Sequence, residues 1–100
     1  AIIYNEDYKK CIIDLKKKKL KFDVIFLDPP YKLDLAVDSL KLIIENDLLN
    51  ENAIIIIETD QKDRDKKEIQ EIKDKYKVDI FDERKYGRAN LIFVRKIEEN

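Results

Sequence analysis

The sequence predicts an α/β layered fold, a mostly parallel sheet that closes in an antiparallel hairpin, and three observations carry that reading. Two short apolar runs, Val24-Ile25-Phe26-Leu27 and Ile54-Ile55-Ile56-Ile57, have the length and aliphatic content of buried parallel strands. Between and beyond them, apolar residues recur every three or four positions, the helical period. The one glycine of the chain, Gly87, lies between two strand-like segments, where a tight turn needs positive φ.

Taken in order, residues 1–4 form a short apolar start with strand character. Over residues 7–18, Tyr8, Cys11, Ile12 and Leu15 keep helical spacing, and the lysine run at 16–19 falls where cations complement a helix C-terminus. Residues 22–28 are a strand closed by Pro29 and Pro30, which donate no ladder hydrogen bond. Because the run is apolar at successive positions, it is expected to be buried on both faces. Leu35, Val37, Leu40, Ile43 and Ile44 mark a helix over residues 34–45, with Asp34 as its N-cap. A second apolar strand follows at 53–58. The charged stretch 59–77 holds Ile69, Ile72 and Tyr76 at helical spacing, so a solvated helix is expected there. Strands at 78–83 and 90–95 flank Tyr86-Gly87 as a hairpin. This strand–helix alternation, with right-handed crossovers, is the α/β pattern.

Composition narrows the function. One hundred residues make a single domain, 1–100. Lys and Arg number 21 against 22 Asp and Glu, so no global field draws the chain to nucleic acid and any such contact must be local. There is no histidine, which removes Ser-His-Asp and Cys-His catalysis and histidine-held metals; no metal site is expected. A single cysteine, Cys11, cannot make an internal disulfide, which suits a reducing cytoplasm. No apolar run approaches the ~20 residues of a membrane span. The expectation is a soluble cytoplasmic protein without a membrane partner. The preference for Lys, Ile and Asn reflects an AT-rich genome.

The chemistry is concentrated in Asp28-Pro29-Pro30-Tyr31. In open α/β sheets ligands bind at the carboxyl ends of the strands, where this tetrapeptide sits. Its residue types suit methylation of an exocyclic amine on a planar base. That nitrogen is a poor nucleophile, its lone pair being delocalised into the ring. Acceptors for its two N–H groups would favour a tetrahedral nitrogen. The Asp28 carboxylate can be one. The Pro29 carbonyl can be the other, with its direction restricted by Pro30. Tyr31 offers a stacking face worth roughly 1–3 kcal/mol. The plainer alternative is a proline turn with Tyr31 in the core, which the preceding buried strand makes less economical.

The segment Phe22-Asp23-Val24-Ile25-Phe26-Leu27-Asp28-Pro29-Pro30-Tyr31 resembles the signature of the bacterial 16S ribosomal RNA guanine-N2 methyltransferases. Ala53-Ile54-Ile55-Ile56-Ile57-Glu58 is similar to that family's next strand. Lys85-Tyr86-Gly87 with Leu91-Ile92-Phe93-Val94-Arg95-Lys96 is similar to its closing hairpin. The resemblance implies a three-layer Rossmann-like methyltransferase fold, of which this chain is the C-terminal half with the first strands missing. It implies S-adenosylmethionine as cofactor, 16S RNA or the small ribosomal subunit as partner, and Asp28, Pro29, Pro30 and Tyr31 as catalytic residues. Asp7 and Tyr8 align loosely with an acidic position that contacts the donor's adenine, although Asp7 is as simply a helix N-terminal residue. Tyr31 and Arg88 are candidates for substrate contact. A close alternative keeps the chemistry on adenine in DNA or RNA; a more distant one is a non-catalytic interaction module.

Other features stay open. The lysines at 16–19 with Lys21 can meet RNA phosphates, but a solvated helix end accounts for them more simply. Arg84, Lys85 and Arg88 form a second basic cluster at a sheet end. Glu58 either faces the site or caps a loop.

The family's glycine-rich turn for the donor's methionine portion has no counterpart, since Gly87 is alone. Its first strand, which pairs with the Val24 to Leu27 strand, is absent too. The exposed sheet edge is expected either to drive self-association or to be covered by the N-terminal segment. The isolated chain is predicted to transfer no methyl group. An assay with labelled S-adenosylmethionine and unmethylated 16S RNA checks this, and turnover by residues 1–100 alone would contradict it.

Overall fold

The computed structural model describes residues 2–4, 8–28 and 36–97, with side chains over 9–27 and 37–97. The elements are β1 (Ile2–Tyr4), α1 (Tyr8–Lys17), β2 (Phe22–Asp28), α2 (Ala36–Glu45), β3 (Leu49–Thr59), α3 (Lys62–Tyr76), β4 (Val78–Tyr86) and β5 (Ala89–Lys96). They build a five-stranded sheet in the order β1-β2-β3-β5-β4. β1, β2 and β3 run parallel, and β5 is antiparallel to both β3 and β4. The predicted succession of elements is what forms.

β2 and β3 pair from Val24↔Ile54 to Leu27↔Ile57, the two apolar runs side by side. Their burial alternates. Ile25, Ile55 and Ile57 have no exposed surface and Leu27 has almost none, yet Val24 is 46% exposed and Phe26, Ile54 and Ile56 are half-buried. This corrects the expectation of burial on both faces. The physical reason lies in the connections. Each of the crossovers β1-α1-β2, β2-α2-β3 and β3-α3-β4 steps the same way across the sheet, and the right-handed rule then lays every helix on one face. Ile12 of α1, Leu40 and Ile43 of α2, and Ile69 of α3 join Ile25, Leu27, Ile55, Ile57, Ile92 and Val94 in one core. The described residues thus supply two layers of the three expected.

β3 begins at Leu49, four residues earlier than the apolar run. The register steps from Phe22↔Leu49 to Val24↔Ile54, so β3 carries extra residues there, and Asn52 takes φ 65°. The N-terminal segment covers part of the β2 edge, as one of the two expected outcomes required: Ile2, Ile3 and Tyr4 pair with Phe26, Leu27 and Asp28. The predicted N-cap Asp34 lies outside the described residues.

The helices end without glycine. After α1, Lys19 N–H donates to the Lys16 carbonyl (2.9 Å) and Leu20 N–H to that of Leu15 (3.3 Å). After α2, Asp47 donates to Ile44 (3.1 Å) and Leu48 to Ile43 (3.2 Å). Both are Schellman closures, with Lys19 and Asp47 at φ 56° and 54° in the position glycine usually takes. Gly87 takes φ 58° at the first position of a two-residue hairpin loop closed by Tyr86↔Ala89, the demand of a type II′ turn.

Alternating burial makes neighbouring isoleucines unequal. Ile57→Ala should cost about 2–5 kcal/mol, the range for truncating a buried aliphatic side chain, and Ile56→Ala well under half of that. Urea denaturation of the two variants measures the difference.

Candidate active site

Asp28 is the last residue of β2, beside Tyr4 of β1 on one side. On the other side the Leu27↔Ile57 register brings Glu58 next to it, and Glu58 is itself opposite Leu91 of β5, which faces Arg84 of β4. One cross-strand row, Asp28-Glu58-Leu91-Arg84, therefore crosses the carboxyl end of the parallel strands. Glu58 is half-buried there, at the carboxyl end of β3. The Asp28 side chain and all of Pro29, Pro30 and Tyr31 lie outside the described residues, as does Asp7. Tyr8 opens α1 directly after β1, on the same end of the sheet, and its side chain is likewise not described.

The hairpin tip belongs to this end because β4 runs parallel to β3. Arg88 occupies the turn after Gly87 and is exposed, as are Arg84, Lys85 and Tyr86. Arg84 Nε donates to Asp82 Oδ2 at 3.1 Å. Its bond to the Tyr86 hydroxyl, and then that to Asp82, raises the guanidinium pKa above its ordinary value. The structure thus brings Asp28, Tyr8 and Arg88 to one end of the sheet.

Sequence reasoning passed over three buried polar residues near that end: Ser39 in the first turn of α2, Thr59 closing β3, and Asp65 in the first turn of α3. Thr59 Oγ1 accepts from Gln61 N–H at 2.9 Å and so shapes the strand-to-helix turn. Asp65 is 1% exposed; its Oδ1 accepts from Arg64 Nε at 3.4 Å and its Oδ2 has no hydrogen-bond partner among the described residues. Asp65 sits four residues before Ile69 on the same helix face, a signal hidden in a stretch read as uniformly solvated. Among the described residues, no three His, Cys, Asp or Glu side chains cluster as a metal site.

A sheet of this order, with its motif strand ending between two parallel neighbours, has the fold of Rossmann-like methyltransferases. A Streptococcus mutans protein assigned as a SAM-dependent methyltransferase superposes with a TM-score of 0.69 at 21% identity, over 89% of this chain and 29% of that one. The M1.HpyAVI–SAM complex gives 0.66 at 19% identity, over 97% and 56%. The chain belongs to the family described as Conserved hypothetical protein 95, whose profile matches residues 1–95. An uncharacterized methylase of Rickettsia prowazekii is 35% identical over 77 residues, 74% of this chain and 28% of that protein. Ribosomal RNA small subunit methyltransferase D of Buchnera aphidicola is 48% identical over 44 residues, 44% of this chain and 22% of that protein. The chain spans between about a fifth and a third of the curated relatives it matches.

Among the described residues, a concavity lies at the opposite end of the sheet. A cleft of about 940 Å³ opens at the amino ends of β2 and β3, lined by Lys21, Glu45, Asp47, Tyr76, Lys77 and Lys96 among others. It collects helix C-termini and the lysines that complement them, with Lys21 paired to Asp47 at 3.1 Å. Strand direction separates it from the motif, so volume alone does not make it the candidate site. On its wall the Tyr76 hydroxyl donates to Glu45 Oε1 at 2.7 Å. That bond, with smaller contributions from desolvation and the Glu45 charge, raises the phenol pKa above its ordinary 10.0. Folding thus favours the protonated phenol. Its contribution is complete below pH ~10 and is lost as pH rises through the higher folded value. Ultraviolet titration should show a late-ionising tyrosine in the folded chain that returns to the ordinary range in Glu45→Ala.

Proposed function

We propose that this chain is part of an S-adenosylmethionine-dependent methyltransferase that modifies the exocyclic amine of a guanine in 16S ribosomal RNA. The observation that carries the reading is the position of Asp28. It ends a parallel strand at the sheet's carboxyl edge, in a chain whose relatives include proteins named ribosomal RNA small subunit methyltransferase D. Such a substrate, free or within the small subunit, places the protein in the cytoplasm.

The described backbone leads to a place for one part of the donor. The adjoining ends of β1 and β2 and the start of α1 at Tyr8 give a crevice edge of the kind in which α/β sheets bind nucleotides. Asp7 and Tyr8 are the residues assigned to the adenine. No glycine-rich turn is available for the methionine portion, so that contact is assigned to the rest of the polypeptide. When bound, the donor supplies an electrophilic methyl group on a sulfonium.

The roles of the chain's own residues follow from the chemistry of the amine. Asp28 and the Pro29 carbonyl accept its two N–H bonds and draw the nitrogen toward tetrahedral geometry, freeing the lone pair. Tyr31 stacks on the base, and Arg88 meets a phosphate at the hairpin end. With the methyl group supplied by the donor, Asp28 and the Pro29 carbonyl would keep hold of the amine while its nitrogen gives up one proton to solvent. Positioning and electrostatics supply the rate, with no covalent enzyme intermediate.

Methyl transfer from labelled S-adenosylmethionine to unmethylated small-subunit particles by the full-length protein tests this directly. Modification of a guanine amine that falls at least about a hundredfold in Asp28→Ala is the expected result, by analogy with loss of one preorganised polar contact. Transfer to adenine would move the assignment to the other base. No transfer to any RNA or particle would end the ribosomal reading.

A further inference from the structure

The outer face of the β4–β5 hairpin is built differently from the rest of the sheet. At the bulge between Ile80 and Asp82, Phe81 turns to the helix-free side and meets the Phe93 ring edge-on, centroids 6.0 Å apart and planes at 62°. Arginines lie against both rings: the Arg95 guanidinium carbon is 5.5 Å from the Phe81 centroid, and that of Arg84 is 5.9 Å from Phe93. Tyr86, 58% exposed, continues the same face toward the tip beside Arg84. Phe81 is 40% exposed. The result is an interleaved row, Arg95-Phe81-Phe93-Arg84-Tyr86, leading to the end of the sheet where Asp28 sits.

The charge of this region is opposite to that of the chain. Residues 78–97 carry five cations against three carboxylates, in a chain of net −1. Two of those carboxylates are engaged by α3 on the other face, Glu83 by Lys66 at 2.5 Å and Asp79 by Lys73 at 3.4 Å. Asp82 alone pairs with a hairpin cation, Arg84. Lys85, Arg88, Arg95 and Lys96 have no carboxylate partner among the described residues.

We propose that this arginine–aromatic row is a binding surface for unpaired RNA, taking bases on Phe81, Phe93 and Tyr86 and phosphates on Arg84, Arg95 and Arg88. Aromatic faces accept any base by stacking, and guanidinium groups both stack on bases and neutralise the backbone. A purely apolar protein partner would leave the two arginines desolvated over the rings, whereas a polyanion satisfies them. The inference rests on the RNA reading of the function and adds to it a second contact, away from the reacting amine, for nucleotides flanking the target.

The test uses the full-length protein and its Phe81→Ala, Arg95→Gln and Lys67→Gln variants, the last removing an exposed α3 charge as control. Fluorescence anisotropy with a short mixed-sequence single-stranded RNA is run beside methyl transfer to unmethylated 16S RNA and to small-subunit particles. Phe81→Ala should weaken oligonucleotide binding about tenfold, the scale of one lost stacking contact. Arg95→Gln should lower the salt dependence of binding by about one phosphate contact. In both, the loss of methyl transfer should fall on KM, with far-ultraviolet circular dichroism unchanged. Oligonucleotide binding equal to wild type in both variants would overturn the proposal even if the wild type methylates RNA. A loss seen with particles but not with free RNA would also overturn it, in favour of a protein contact. Wild type that binds the oligonucleotide through these residues but methylates no RNA would sustain the surface while ending the ribosomal reading.

Discussion

Everything else in this fold is arranged around the parallel pairing of two aliphatic strands, Val24 to Leu27 against Ile54 to Ile57. The ladder fixes which side chains turn toward the helices, and Ile25, Leu27, Ile55 and Ile57 together form the floor on which α1, α2 and α3 rest. It also fixes the site. Because the ladder runs in register to Leu27↔Ile57, the next residue of each strand, Asp28 and Glu58, emerges at the same level. A shift of one residue would send every isoleucine to the opposite face and carry the motif with it. The candidate motif is located by packing.

Much of this was legible in the chain, because parallel strands announce themselves by aliphatic runs and helices by their period. The motif strand, the order of elements and the hairpin around Gly87 could all be read from residue types. Burial could not. A run of four isoleucines looks the same whether one or both faces are covered, and the answer depends on where the helices go, which is a property of the connections. The extra length of β3 was hidden for a related reason. Leu49 to Asn52 is a polar, irregular start whose strand character comes from pairing with Phe22 and not from its own pattern.

Of the candidate site, the backbone frame was readable and the surroundings were not. Asp28 and Arg88 were found by motif and by turn, and both stand at the predicted end of the sheet. Asp65 escaped notice because its one signal, a four-residue spacing to Ile69, is hidden among charges, and Thr59 because a threonine at a strand end is ordinary. The arginine–phenylalanine contacts escaped for another reason. Phe81 reaches Phe93's face by simple alternation with Ile80, but Arg84 joins it only because the bulge between Ile80 and Asp82 shifts the sides of the residues that follow, and a bulge leaves no fixed trace in the residue order.

The shortage of glycine reaches into the folding free energy. Glycine is the residue best suited to left-handed backbone, and this chain has one. Here Lys19, Asp47, Asn52 and Lys77 hold such conformations instead, each at a cost of roughly 1–2 kcal/mol relative to the right-handed region. Against a total stability of about 5–15 kcal/mol for an ordinary domain, that is a substantial mutational load. It is carried by the isoleucine-rich core.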